Sequence, residues 1–508
     1  MLTARNPLCF SLICTLFCSL LAIAPVFATD QPQWGQRYSR NMVSNETGLP
    51  DTFDPATGKN IKWVVPLGTQ TYSTPVIGSG KILIGTNNDK PRDPRHKGDR
   101  GILLCLDEMD GSFCWQLVVP KLGKDPYIDW PRVGMCSVAT IEGNRAYILS
   151  NKGEVICLDL NGQANGNNGP YQDEGRHMAP SDAGPMEVTS TDADIIWLFD
   201  LISEMGVHVH DGAHSSILIH GKFLYVNTCN GLNSTHTGVH SPDAPSLVVL
   251  DKTTGNLAAR ENENISPRIF HCTWSSPALG KVNGQNLVFF GGGDGVCYAF
   301  EALESIPSSK KLKNIWRFDC DPNAPKENIH DYIRNRNESP SNIKSIPVFH
   351  NNRVYITVGG DIWWGKHQAW LKCIDATKSG DITNSGEIWS YDLHRHCCST
   401  PSIYNGLVFV ADCGQPIHCI HCVDADTGEP YWTHETKGDM WASTLVADGK
   451  VYIGTRLREF LVMAASKDKR VISSIKLDSP TTSTPVAANG VLYVATMKKL
   501  YAIKKSTE

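Results

Sequence analysis

Histidine, cysteine and tryptophan concentrate in a few short stretches of this 508-residue chain. GVHVHDGAHSS (206–216) carries His208, His210, Asp211 and His214, and RIFHCTW (268–274) carries His271, Cys272 and Trp274. DLHRHCC (392–398) carries His394, His396, Cys397 and Cys398, and CNGLNSTHTGVHSPDAPS (229–246) adds His236 and His240. Imidazole, carboxylate and thiolate are the ligand set of a transition metal. The candidate metal ligands are therefore His210, His214, His271 and His396, and Asp211 is the candidate catalytic base or additional ligand. Any one of these histidines could instead hydrogen-bond a loop backbone, so it is the clustering that singles them out. The spacing of four between His210 and His214 has no helical meaning, because both approach a strand.

The elements that would hold these residues repeat along the chain. YSTPVIGSGKILIGT (72–86), CSTPSIYNGLVFVAD (398–412), MWASTLVADGKVYIGT (440–455) and TTSTPVAANGVLYVAT (481–496) align with four more divergent copies. The alignment puts Pro75, Val138, Ser216, Pro277, Pro347, Pro401, Thr444 and Pro485 in one column. A Gly or Asn turn lies five residues on in seven copies, and the copy at Pro277 has two extra residues. Each copy predicts two strands joined by a tight turn. A third strand ends in Asp, as in LLCLD (103–107), VICLD (155–159), LVVLD (247–251), LKCID (371–375) and IHCVD (420–424). A turn and a tryptophan follow, most fully in DADTGEPYW (424–432). The Asp caps the turn, the Gly supplies positive φ, and the indole can pack between neighbouring units.

Such four-stranded units cannot bury both faces alone, so they must stack and close. The last copy stops after three strands, and DPATGKNIKWVVPL (54–67), with Trp63, supplies the fourth. The fold class is all-β, an eight-bladed propeller of four-stranded antiparallel blades over 54–508, with the N-terminal strand closing the last blade. Residues 29–53 are read as a lead-in segment.

A closed ring makes distant residues neighbours. Three positions before the Pro75 column stand Tyr72, Met135, Ala213, Trp274, Lys344, Cys398, Trp441 and Thr482, one per blade, predicted to encircle one mouth of the axis. The histidine-rich stretches are inter-blade connections or loops between second and third strands, which open on that same mouth. Cys105, Cys157, Cys373 and Cys422 share another column with Val249 and Ala299, and read as small buried side chains. The segments 87–101 and 161–194 read as solvated excursions, the first on the histidine-rich face.

The pattern Asp-x-x-Thr-Gly-x-x-x-Trp stands in full at Asp424 to Trp432 and nearly so at Asp107 to Trp115. By it the chain resembles the PQQ-like (pyrroloquinoline quinone) repeat β-propellers of the quinoprotein alcohol dehydrogenase-like superfamily. The family includes PQQ-dependent alcohol dehydrogenases and also non-enzymatic members such as the outer-membrane assembly lipoprotein, so fold alone does not choose an activity. From the dehydrogenases the resemblance implies PQQ with Ca2+, the quinone lying between a tryptophan and a disulfide of adjacent cysteines. Cys397, Cys398, Trp274 and Trp441 are the matching cofactor-binding candidates. Neighbouring Cα atoms stand about 3.8 Å apart across a trans peptide, below the roughly 4.4–6.8 Å usual for a disulfide, so such a bridge would be strained. The Glu, Asn and Asp calcium ligands of those enzymes and their catalytic Asp match no motif here, and CIHC (419–422) has no following His to make a haem site.

The chain is 41% hydrophobic with a net charge of -5, which argues against a nucleic-acid partner. Residues 1–28 place Arg5 before the apolar LCFSLICTLFCSLLAIA and a small-residue VFA, the pattern of a cleaved signal peptide. No later segment is long and apolar enough to span a bilayer. The expected location is periplasmic or extracellular, where disulfides are permitted. The expected function is a ligand or redox site at the His/Cys/Trp-rich mouth, in one version a quinoprotein oxidoreductase using PQQ with Ca2+, in another a site for a transition metal. The alternative expectation is a non-catalytic propeller scaffold for other exported proteins or surface polymers.

Overall fold

The computed structural model describes Met1 and residues 29–123, 125–393, 398–414 and 417–506. Nearly all of the expected signal peptide, and His394, His396 and Cys397, lie outside the described residues. No helix among the described residues is long and apolar enough to cross a membrane.

Eight sheets form the molecule, each built on four antiparallel strands, two of them with a short parallel fifth strand. Blade 1 pairs Val76–Gly78, Lys81–Asn87, Arg100–Asp107 and Phe113–Pro120 in chain order, and blades 2 to 7 repeat the arrangement through Val471–Lys476. Blade 8 takes Val486–Ala488, Val491–Ala495 and Lys499–Ile503 from the end of the chain, and Ile61–Pro66 as its outer strand. Ile61–Pro66 runs antiparallel to Lys499–Ile503, so the expected closure by the N-terminal strand is present. Alternating side chains bury both faces of each blade. Ile77, Ile82, Ile84 and Leu104 of blade 1 pack against Val486, Val491 and Tyr493 of blade 8.

The repeat motif does two jobs. Its Asp closes the turn: Asp424 Oδ1 accepts from the Asp426 and Thr427 amides at 2.9 and 3.0 Å. Its Trp docks on the next blade: Trp115 Nε1 donates to Leu160 O, Trp197 to Lys252 O, Trp316 to Ala376 O and Trp389 to Ala425 O, at 2.9–3.2 Å. The turn glycine seats the ring from the preceding blade. Gly428 has φ +77°, and a Cβ there would stand 2.7 Å from Trp389. The small-residue column explains itself in the register, because Cys105, Cys157, Cys373 and Cys422 lie opposite Trp115, Trp197, Trp389 and Trp432. These four cysteines are buried free thiols.

Residues 29–53 do more than lead in. They run around the axis at the end where the first and second strands turn, touching the blades in sequence. The Ile77, Ile141, Leu279, Phe349 and Val446 amides donate to the carbonyls of Gln31, Pro32, Tyr38, Ser39 and Met42, at 2.7–3.1 Å. Ile403 N donates to Asn41 Oδ1 at 2.9 Å, and Gly490 N to Glu46 Oε2 at 2.6 Å. Blade 3 is held by Arg40, whose Nη2 donates to Ser216 O at 2.9 Å. The inner strands are edge strands with unpaired amides, and this strap supplies their acceptors. It closes one mouth of the channel.

Candidate functional site

The opposite mouth holds a cavity of about 640 Å3. Tyr72, Trp274, Lys344, Cys398, Trp441 and Thr482 of the sequence-derived ring line it. The other two ring members, Met135 and Ala213, are buried. Trp363 enters from the loop between the second and third strands of blade 5 and stands edge-on to both Trp274 and Trp441, with centroids 5.9 and 5.6 Å away. Trp441 also meets Tyr72 at 6.3 Å. Tyr127 and Trp130, from the connection between blades 1 and 2, and Trp364 and Arg334 complete the aromatic rim.

Asp361 organises one wall. It is fully buried in the turn GGDIWWGK (359–366), and its Oδ1 accepts from the Trp363 and Trp364 amides at 2.8 and 2.9 Å. Its Oδ2 accepts from His271 Nδ1 at 2.9 Å and from Lys344 Nζ. Burial would raise this carboxyl, but His271 and Lys344 outweigh burial and hold it well below the usual carboxylate range. Burial would lower Lys344, but Asp361, together with Cys272 and Cys398, outweighs burial and raises it. The Lys344 ammonium lies over the faces of Trp274 and Trp363, at 5.4 and 5.3 Å.

Beside this wall lie His210, His271 and His236, whose ring nitrogens fall within 4.8 Å of one another. Val209 bridges Asn230, bringing the loop of His236 against the segment of His210. Gly231 allows this approach, since a Cβ there would stand 2.6 Å from His210 Cβ. Burial lowers His210 well below the ordinary imidazole value and His236 to about 4, with the neighbouring imidazoles adding to the effect. Asp211 lines the cavity at φ +60°, with its amide held by Tyr127 O. Burial raises its carboxyl to about 6, against the pull of His271.

Two further groups of potential ligands already contain a cation. His271, Cys272 and Asp361 surround the Lys344 contact, and Asp93, His96 and Asp192 surround Arg95, which pairs with both carboxylates. Among the described residues, only the three-histidine group lacks one.

The structure therefore brings together Asp211, His210 and His271 on one side of the mouth and Trp274, Trp441 and Cys398 around its rim. His214 stands outside the imidazole group; its ring packs on Trp274 at 4.5 Å, and burial lowers it to about 4. Cys398 is a free thiol, and Cys413 Sγ lies 3.8 Å from its sulfur, a hydrogen bond that lowers the Cys398 thiol. Its expected partner Cys397, and His396, lie outside the described residues. Asp361, Trp363 and Arg334 were not legible as site residues. The only signal was the Gly-Gly-Asp and Trp-Trp pairing of 359–364, which breaks the repeat.

Residues 418–507 match the family model described as outer membrane protein assembly factor BamB. No curated protein matches the sequence. Among solved structures, quinohemoprotein alcohol dehydrogenase from Comamonas testosteroni superposes with a TM-score of 0.59 at 12% identity, covering 94% of this chain and 81% of that one. The quinohemoprotein alcohol dehydrogenase ADHIIG from Pseudomonas putida gives 0.57 at 10% identity over the same shares. BamB from Moraxella catarrhalis gives 0.50 at 12% identity, covering 87% of this chain and 98% of that one. Likenesses at such identities speak for fold. By its eight closed blades and these superpositions, the chain has the eight-bladed β-propeller fold of these proteins, and over 418–507 its sequence is similar to that family model.

Proposed function

We propose that the chain is a quinoprotein-like propeller whose open mouth binds a planar, carboxylate-bearing aromatic small molecule, a quinone cofactor in the first instance. The cavity itself carries this reading. Its size falls in the range of roughly 300–1,000 Å3 that small-molecule sites occupy. Its walls include the rings of Tyr72, Trp274, Trp363 and Trp441, and Arg334, at its rim, makes no ion pair among the described residues. Flat rings offer stacking, and an unpaired guanidinium offers a bidentate partner for a carboxylate.

The residues present fit PQQ and do not fit calcium. Calcium takes about 6–8 oxygen ligands. Each close group of potential ligands among the described residues contains histidine. A bound quinone would supply a two-electron acceptor for an alcohol or sugar. The chain's own part would be to hold the ring plane between indoles, to anchor a carboxylate on Arg334 and to keep a positive wall through Lys344. Asp211, raised to about 6, is the group placed to take a proton from a substrate hydroxyl, provided no metal occupies its Oδ2. The signal-like residues 1–28 support placing this activity outside the cytoplasm.

The test is titration of the purified protein with PQQ, followed by quinone absorbance and tryptophan quenching, then by dye-linked oxidation of alcohols and sugars. Saturable binding that weakens in Trp441→Ala and Arg334→Ala supports the reading. Absence of binding, or binding indifferent to both substitutions, overturns it.

The match of 418–507 to the BamB model supports a second reading, a non-catalytic platform for other exported proteins. Partners captured equally by the wild type and by the Trp441 and Arg334 variants would favour it.

A further inference from the structure

Two buried imidazoles turn bare nitrogens toward each other. His210 Nδ1 lies 2.8 Å from Leu232 O. A carbonyl only accepts, so Nδ1 carries the ring hydrogen and Nε2 of the neutral ring keeps its lone pair. His271 Nδ1 lies 2.9 Å from the ionised Asp361 carboxylate, which leaves its Nε2 bare by the same reasoning. The two Nε2 atoms stand 3.2 Å apart. With both rings neutral, no hydrogen stands between them.

Three further observations point to a missing occupant. Asp211 Oδ2 lies 3.4 Å from His271 Nε2 and 3.8 Å from His210 Nε2. Its other oxygen, Oδ1, is buried without a hydrogen-bond partner. His236 is 6% exposed, belongs to the same close group, and its Nε2 also lacks a partner.

Zinc–nitrogen bonds of about 2.0–2.1 Å at a tetrahedral angle put two ligand nitrogens about 3.3 Å apart, close to the observed separation. We propose that His210, His271 and His236, with Asp211, bind a divalent transition-metal ion of the zinc class in the wall of the open mouth. The nitrogen-rich set selects against calcium and magnesium. The second shell is already built: Asp361 accepts from the outer nitrogen of His271 and Leu232 O from that of His210, which fixes both tautomers. Asp211 lines the cavity, so the ion is reached from it and can meet an oxygen-bearing ligand there. The site needs no quinone, and its test is made without one.

The experiment is chelator stripping of the purified protein, titration with zinc(II) and cobalt(II), and elemental analysis of the reloaded protein. The expected result is about one ion per chain. Cobalt should also give the visible d–d absorption of low-coordinate cobalt(II). His271→Ala and Asp211→Asn should abolish or weaken binding, and Asp361→Asn should weaken it by about 10–100-fold. His434→Gln, on the outer strand of blade 6, should leave it unchanged. Asp211→Asn preserves shape at the cavity surface, so it keeps the test decisive should His271→Ala fail to fold, and circular dichroism identifies that case. Failure to retain either ion at millimolar metal, or retention indifferent to Asp211→Asn and Asp361→Asn in folded protein, overturns the proposal. A cation-free His210–His271 pair sharing a proton would appear as the first of these.

Discussion

The two mouths of the channel solve opposite problems with the same eight inner strands. At the closed mouth, the strap of residues 29–53 satisfies the inner-strand edges, and Arg40 sits at its heart, 0% exposed. Arg40 donates to Pro277 O, Trp34 O, Ser216 O and Ser216 Oγ at 2.9–3.2 Å and has no carboxylate partner among the described residues. Burial lowers it to about 9. Four of its five N–H donors are spent, on three carbonyls and one buried hydroxyl. At the open mouth, the equivalent positions carry Tyr72, Trp274, Lys344 and Trp441, and several polar atoms remain unspent: Asp211 Oδ1, His236 Nε2 and Trp274 Nε1. A buried polar group without a partner calls for an explanation, and at the open mouth a bound ligand would supply one.

This contrast predicts that variants at the closed mouth change stability and variants at the open mouth change binding. Arg40→Ala should cost about 3–5 kcal/mol in urea unfolding, because it opens a cavity and strands buried carbonyls together. Quinone and metal binding in the folded fraction should be unchanged. A loss of binding without a loss of stability would break the comparison.

Acid should loosen blade 2 through Glu154, on its third strand. Burial would raise Glu154, but the hydrogen bond and charge of His177, with Lys152 and Ser150, outweigh it and hold Glu154 at about 2. His177 Nε2 lies 3.0 Å away. A carboxyl depressed from 4.5 contributes stability that is whole above that value and is lost as pH falls from it toward about 2. The contribution is at most about 3 kcal/mol. Unfolding at neutral and acid pH, compared between wild type and Glu154→Gln, measures it; an equal acid dependence in both would remove Glu154 from the account.

Gly428→Ala, which forces a Cβ onto Trp389 at positive φ, should cost about 1–3 kcal/mol. It should leave both mouths' chemistry intact. The smallest stability effect is expected at the open mouth itself. Arg334→Ala should shift unfolding by no more than about 0.5 kcal/mol, yet weaken PQQ binding by about tenfold or more, some 1.4 kcal/mol. Equal losses in both measurements would mean that the rim is structural.

Much of this architecture was legible. The Pro75 column and its turn placed the first two strands, and the Asp-to-Trp motif placed the outer two. The three-stranded final repeat called for Ile61–Pro66 as the missing partner. The ring position three residues before the column correctly named six cavity residues, because a propeller turns equal repeat position into equal height on the axis. The interior of the mouth was less legible. His236 was visible only as one histidine in a loop, and His214, equally promising by type, packs on Trp274 instead. Asp361 lies 90 residues from His271 and in the next blade, so no spacing rule links them. Nor did any pattern in 29–53 announce a strap, since its role is to offer carbonyls, which every residue has.

The sequence by itself determined the number of blades, their closure and which residue types face the axis, because those follow from local periodicity repeated and from the burial each repeat must find in its neighbour. Only the tertiary structure decided which imidazoles meet, which carboxylate orients them and which mouth is sealed. Those outcomes depend on loops whose lengths obey no repeat, carried by a closed ring to within hydrogen-bonding distance of residues far away in the chain.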